Sequence, residues 1–279
     1  MHAIILAAGE GKRFNFKGLA GRQLPEGISH PVPKSLIAVK DPKNLDQEEY
    51  KPILERLIDG LFKSGIERVY MGTGYMYEVI EKFVIIHLQE RDIVVIPPDP
   101  MIDYTRGPLF TMASVMKYIR EKRITSIKDF DKIMLLLPAD LVIDPRGIWY
   151  MIGPPSRGMM ASRNLLHVFV EDRKVPEKIS TVLEDIIPTR FQELFTPKLL
   201  KCPVIPMMAV HVDILMDTAK KIEDDQEKFA PALKNWLDEN IKDERELKLN
   251  INIIKASSIG ENFYWFDIDS QDDIIGNNL

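Results

Sequence analysis

The sequence predicts an α/β protein organised around a mostly parallel β-sheet, and three stretches carry that prediction. The apolar run at residues 3–8 reads as a buried strand and empties into a turn carrying Gly9 and Gly11. Residues 52–63 then place Ile53, Leu54, Leu57, Ile58, Leu61 and Phe62 at helical spacing, with Gly65 to close the helix. The run 69–75 follows as a second strand ending in a glycine turn, so strand, helix and strand form a βαβ unit, which requires parallel pairing. Further along, the continuous apolar run 133–137 has the length of a buried strand and ends at Pro138-Ala139-Asp140. A carboxylate there stands outside the carboxyl end of a strand, where open α/β sheets bind their ligands.

The first turn suits an anion. Successive amide N–H groups at a strand-to-helix turn form a nest, the following helix adds a positive dipole end, and Lys12, Arg13 and Lys34 add full charges. Spacing excludes two common glycine loops. A P-loop needs Gly five residues before a Gly-Lys-Ser/Thr, yet Leu6 occupies that place and Arg13 follows Lys12. A dinucleotide fingerprint needs a third Gly three residues after the second, and that position is Phe14.

The run Leu6-Ala7-Ala8-Gly9-Glu10-Gly11-Lys12-Arg13, followed by Pro33-Lys34, resembles the Leu-Ala-Ala-Gly-x-Gly-x-Arg and Pro-Lys signature of the nucleotidyltransferase family. That family makes activated sugars and alcohols from a nucleoside triphosphate and a phosphorylated acceptor. The resemblance implies a Rossmann-like three-layer sandwich with a mostly parallel central sheet, of the nucleotide-diphospho-sugar transferase type, with a small β-rich acceptor-side region. It also implies one catalytic domain over 1–279, with a nucleotide-binding half at 1–145 and an acceptor-side half at 146–279. By the same resemblance Leu6, Ala7, Ala8, Gly9, Gly11 and Lys12 bind the nucleotide. The catalytic pair is Arg13, on the β- and γ-phosphates, and Lys34, steadying the pentavalent phosphorus and the acceptor phosphate. Segment 15–32, with Gly18, Gly21, Arg22, Gly27 and His30, is longer than the family usually shows. A lid over the triphosphate and a tolerated surface insertion are both open readings of it.

Composition agrees with a soluble globular protein. With 45% hydrophobic and 28% charged residues, the 279-residue chain can bury a substantial core. A net charge of −5 argues against broad nucleic-acid binding. The single Cys202 has no disulfide or zinc-site partner of its own kind, which points to a reducing cytoplasm. Apolar runs are too short for a membrane span, and the N-terminal one is too short for an export signal, so neither nucleic acid nor membrane is an expected partner.

Residues 78–88 read as a helix, 93–96 as a short strand, and Pro97-Pro98-Asp99-Pro100 as a rigid connection. Arg106-Gly107-Pro108 opens a helix running to about Arg120. The resemblance assigns Gly74 to a loop that approaches the base or acceptor, places the Gly107 backbone at the nucleobase, and makes Thr111 a hydroxyl contact to the nucleotide. Turn packing is the other reading of Gly74, and local capping that of the helix start. Asp140 resembles the family's Gly-Asp at the equivalent strand end, with Ala139 in place of Gly, and is the first metal ligand. Asp144 reads as a helix cap.

Residues 166–175 alternate like a hairpin strand turning at 171–173, 205–212 read as a strand, 213–222 as a helix and 249–254 as a strand. Met159, Met160, Met207, Met208 and Met216 read as packing residues, and His167 and His211 as core or edge histidines. The charge-rich stretch 220–247 carries Phe229, Leu233, Trp236, Leu237 and Ile241 at helical spacing. It suits an amphipathic surface helix and, equally, self-association as a homodimer.

The last motif, Tyr264-Trp265-Phe266-Asp267-Ile268-Asp269-Ser270-Gln271-Asp272-Asp273, resembles the Trp-x-Asp-x-Asp-Thr-x-Glu-Asp stretch of inositol-phosphate and phosphocholine cytidylyltransferases. It is less like the Asp-Thr-Gly of the hexose-phosphate branch. Alternation puts Asp267 and Asp269 on one face of a strand, so both can reach one ion, with Asp267 the preferred metal ligand beside Asp140 and Asp269 a second ligand or a neighbour holding its rotamer. Ser270 reads as an N-cap, with Asp272 and Asp273 at the positive end of the closing helix. The expected cofactor is Mg²⁺, and the expected partners are a nucleoside triphosphate and a phosphorylated small-molecule acceptor. The terminal motif favours CTP with a choline- or inositol-like phosphate. GTP with a molybdenum-cofactor or mannose-phosphate type of acceptor is the alternative. A glycosyltransferase would place its Asp-x-Asp after the nucleotide-binding half and lacks the Arg13/Lys34 pair. A silent nucleotide-sensing regulator is disfavoured by the presence of Lys34, Arg13 and both acidic ends.

Overall fold

The computed structural model describes residues 1–9, 32–43, 50–122, 132–152, 165–173, 181–220, 228–268 and 273. In the first half these form β1 (His2–Ala7), β2 (Ala38–Lys40), β3 (Tyr50–Pro52), α1 (Ile53–Lys63), β4 (Arg68–Thr73), α2 (Tyr77–His87), β5 (Ile93–Ile96), α3 (Pro108–Glu121), β6 (Ile133–Pro138), β7 (Leu141–Ile143) and α4 (Pro145–Ile152). The second half contributes β8 (Leu166–Val170), α5 (Pro197–Leu200), β9 (Val204–His211), α6 (Val212–Lys220), α7 (Phe229–Asn240), α8 (Glu244–Asn250), β10 (Ile251–Lys255) and β11 (Trp265–Asp267).

Seven of the described strands make one sheet in the order β10-β8-β9-β6-β1-β4-β5. Pairing is parallel at β6–β1, β1–β4, β4–β5 and β8–β10, and β9 alone runs against its neighbours. The alternation of strand side chains sorts the core onto two faces. From β1 and β6, Ile4, Met134 and Leu136 meet α3, α6 and α7 on one face. Ala3, Ile5, Ile133, Leu135 and Leu137 meet α1, α2 and α4 on the other. Helices on both faces of a mostly parallel sheet make the expected three-layer sandwich.

Local chemistry explains two element ends, one at the far end of the sheet and one at the site. Helix α1 stops in a Schellman motif: Gly65 takes φ +96°, its N–H donates to Phe62 O at 3.1 Å, and Ile66 N–H donates to Leu61 O at 3.1 Å. Helix α3 starts on Gly107, at φ +134°, with Pro108 in the first helical position, and no side chain caps it. The local-hydroxyl reading of that helix start therefore has no counterpart.

Two expectations on the second half change. Strand β8 does not turn back on itself: its five residues are all buried, because it lies inside the sheet between antiparallel β9 and parallel β10. Both faces are covered, so alternation of polarity is lost. The amphipathic stretch is broken at Ile241, whose ψ of 120° ends α7, and Asp243 caps α8 by accepting from Glu246 N–H at 2.8 Å. Met207 and Met208 are packed in the two cores, and His167 is buried, whereas Met159 and Met160 lie outside the described residues.

Candidate active site

Strands β4 and β5 lie to one side of β1 and β6 to the other, so the chain reverses its direction of progress between β1 and β6. A crevice opens at the carboxyl ends of strands at such a switch point. Here it is a cleft of about 510 Å³ lined by Leu6, Ala7, Ala8 and Gly9 after β1, by Lys34 and Ser35, and by Pro138, Ala139 and Asp140 after β6. Its other borders are Tyr104, Thr105, Gly107, Pro108 and Thr111 around the start of α3, Pro206 of β9, and Asp267. The N-terminus of α3, with its positive dipole end, thus borders the cleft.

Asp140 does not cap a helix. It occupies the tight turn between β6 and β7, is 8% exposed, and its Oδ2 is in contact with Lys34 Nζ. Lys34 opens a short 3-10 turn in which Leu36 N–H donates to Pro33 O at 2.9 Å, which fixes the lysine over the β1–β6 crevice. Asp267 arrives from the far end of the chain. Strand β11 pairs antiparallel with β7, matching Asp267 to Leu141, and Ile268 N–H donates to Asp140 O at 3.3 Å. Two carboxylates from distant sequence thereby share one ribbon and one cleft.

That donor set fits a hard divalent cation. Mg²⁺ is commonly held by one or two carboxylates plus substrate oxygens rather than by a full protein cage, and Asp140 and Asp267, which both border the cleft, supply that number. Among the described residues no group of three or more His, Cys, Asp or Glu side chains converges, so phosphate oxygens would have to complete the shell.

Asp144 is the cap expected. Fully buried, it accepts from Arg146 N–H at 3.0 Å at the start of α4 and from Arg146 Nε and Nη2 at 3.0 and 2.6 Å, with Lys43 Nζ at 3.0 Å. Burial pushes its pKa up, but these donors outweigh it and hold the carboxyl below its ordinary range.

Gly74 does not line the cleft but supports its wall. A Cβ there would come within 2.5 Å of the Tyr104 ring and 2.7 Å of Ala8 Cβ, both cleft residues. Thr111 is 2% exposed and borders the cleft beside Gly107. Gly11, Lys12, Arg13 and Asp269 lie outside the described residues, as do segment 15–31, Ser270 and Asp272. Sequence reasoning passed over Tyr104, Thr105, Ser35 and Pro206, which border the cleft. The only local signal for the first two was their position just before the Gly107-Pro108 helix start. No helix among the described residues is long and apolar enough to cross a membrane.

No family model matches the sequence, and no curated protein matches it. Solved structures do. An inositol-1-phosphate CTP transferase from T. maritima is 15% identical with a TM-score of 0.59, the match covering 98% of this chain and 90% of that one. A protein of Bacillus anthracis assigned as a glucose-1-phosphate thymidylyltransferase, solved with sucrose, is 14% identical with a TM-score of 0.59, covering 100% of this chain and 94% of the other. At these identities the likeness is one of fold, and it runs the length of the chain.

Proposed function

We propose that the protein is a nucleotidyltransferase that moves a nucleoside monophosphate from a nucleoside triphosphate to a phosphorylated sugar or alcohol, releasing pyrophosphate. One observation carries the reading: the turn after β1, Lys34, Asp140 and Asp267 meet in a single cleft at the switch point of the sheet. Two solved proteins of this fold, named for CTP and thymidylyl transfer to inositol and glucose phosphates, are in keeping with it. The terminal Trp-Phe-Asp-Ile-Asp stretch favours CTP as donor.

In this reading the acceptor phosphate is the nucleophile. It is anionic already, so the chain needs to supply no base; it supplies position and charge neutralisation. Backbone N–H groups after β1 and the start of α3 would cradle the triphosphate, and Arg13 would bind its outer phosphates. Lys34 would move from Asp140 to the acceptor phosphate, drawing it in line with the α-phosphorus. Asp140 and Asp267 would hold Mg²⁺, which when bound neutralises charge developing on the phosphate oxygens.

The deciding experiment is thermal unfolding with each of CTP, GTP, UTP and ATP, with and without Mg²⁺, followed by pyrophosphate release with phosphorylated sugars and alcohols. A ligand at about 100 times its Kd stabilises by about 2.7 kcal/mol, so a Mg²⁺-dependent rise with one triphosphate names the donor. No rise with any of the four, and no pyrophosphate, would sink the reading.

A further inference from the structure

Strand β11, which carries Asp267, is flanked by packed side chains, Trp265 against one core and Phe266 beside the fully buried Ile268, but its own ladder is short. It is three residues long, none of them fully buried, and its ladder is with the equally short β7. A two-stranded ribbon of that size is marginal by itself. The turn before it, whose Phe263 is buried against Phe169, is held in addition by two ion pairs of one pattern, carboxylate-x-arginine: Asp144-Pro145-Arg146 and Glu171-Asp172-Arg173. In each, the carboxylate accepts from the backbone N–H and the guanidinium of the arginine two residues on, and the arginine reaches across to main-chain carbonyls of the turn.

The second pair grips hardest. Glu171 is 5% exposed, and its own N–H donates to Pro203 O at 2.8 Å, anchoring it at the end of β8. Its Oε1 accepts from Arg173 N–H and Nε, both at 2.9 Å, and its Oε2 from Arg173 Nη2 at 2.8 Å. Arg173 Nη1 then donates to Phe263 O at 2.9 Å, with longer contacts to Gly260 O at 3.3 Å and Glu261 O at 3.4 Å. The Trp265 indole N–H donates to Glu171 Oε2 at 3.0 Å. Trp265 and Asp267 are two residues apart on β11 and so share a face. Fixing the indole therefore fixes the side on which the carboxylate emerges. Glu171 and Arg173 do not border the cleft, and substrate has no need to touch them.

We propose that Glu171 and Arg173 are positioning residues for Asp267, clamping the turn at 260–263 and the Trp265 indole so that β11 presents its carboxylate to the cleft beside Asp140. The inference rests on the reading of that cleft as a metal-assisted nucleotidyl-transfer site. A role confined to fold stability would loosen the whole sheet when the clamp is removed; a positioning role loosens the ribbon.

The test uses the full chain as wild type, Arg173→Met, Arg173→Lys and, should the methionine variant misfold, Glu171→Gln. Hydrogen exchange is read by segment, Mn²⁺ binding by titration, and Mg²⁺ dependence by turnover. Exchange in 263–268 should accelerate about tenfold or more in Arg173→Met while β1 and β6 stay as protected as in wild type, with Arg173→Lys in between. Mn²⁺ affinity should fall by about tenfold, as when partners behind a metal ligand are lost, and velocity should recover at saturating Mg²⁺. Unchanged exchange at 263–268, equal acceleration throughout the sheet, or wild-type Mn²⁺ affinity would each overturn the proposal. A wild-type protein that turned over no triphosphate would sink the functional reading instead, and the exchange comparison would still decide whether Arg173 holds the ribbon.

Discussion

The two carboxylates of the cleft are set by different physics. Asp140 follows β6, a strand buried on both faces and paired on both edges, so apolar packing and ladder hydrogen bonds fix its backbone. Asp267 stands on a short rim ribbon that adds, to the packing of Ile268 and Trp265, arginine contacts to the turn before it. Packing spreads its effect over many small contacts, whereas a polar clamp concentrates its effect in a few bonds. The two sides should therefore break differently.

The largest effect belongs to the packed side's own carboxylate. Asp140→Asn should lower turnover about a thousandfold, roughly 4 kcal/mol of barrier, with an unchanged circular dichroism spectrum. Pyrophosphate release near the wild-type rate at saturating substrate would remove Asp140 from the chemistry. Next comes the core beneath it. Leu135 is fully buried, and Leu135→Ala should cost about 2–5 kcal/mol in urea unfolding while leaving the Mg²⁺ requirement of the surviving enzyme unchanged. A shifted Mg²⁺ requirement there would erase the contrast between the two sides.

Acid should strip the two regions in turn. Burial lowers the pKa of His167, in β8, from 6.5 to about 4, so the unfolded chain binds the proton first. Stability is full above pH 6.5 and lost as pH falls toward 4, by roughly 3 kcal/mol, and His167→Gln should flatten that limb of a melting-temperature profile. Glu171 behaves like the usual carboxylate. Burial would raise its pKa, but Arg173 and Trp265 outweigh it and set the value below 4.5, so the clamp's contribution is intact above pH 4.5 and fades below it. Glu171→Gln should remove the pH dependence of exchange at 263–268 in that lower window. The smallest effect lies at Gly74, where an alanine would press on Tyr104 and Ala8. Gly74→Ala should weaken triphosphate binding about tenfold, or about 1.4 kcal/mol, with little change in velocity at saturation.

Much of this was legible in the sequence because it rested on periodicity and local stereochemistry. The apolar runs of β1 and β6, the helical spacing of α1 and the glycine at its end translate directly into elements. Strand β8 was misjudged because alternation reports a solvent-facing side, and it has none. The Lys34–Asp140 contact and the Glu171–Trp265 bond were illegible for another reason: each joins residues that only the finished topology brings together. The repeated carboxylate-x-arginine spacing was in plain view, but without knowing that both copies face one turn it had no meaning.

Strand β1, flanked on both edges by later strands, has a consequence for how the molecule comes into being. Strand β1 gains β4 on one edge early, yet its other edge waits for β6, which comes, among the described residues, after two further helices and another strand. Until then an apolar ribbon with unsatisfied main-chain groups is open to pairing with another chain. The nascent polypeptide should need shielding over that interval, and slow elongation should lower its soluble yield.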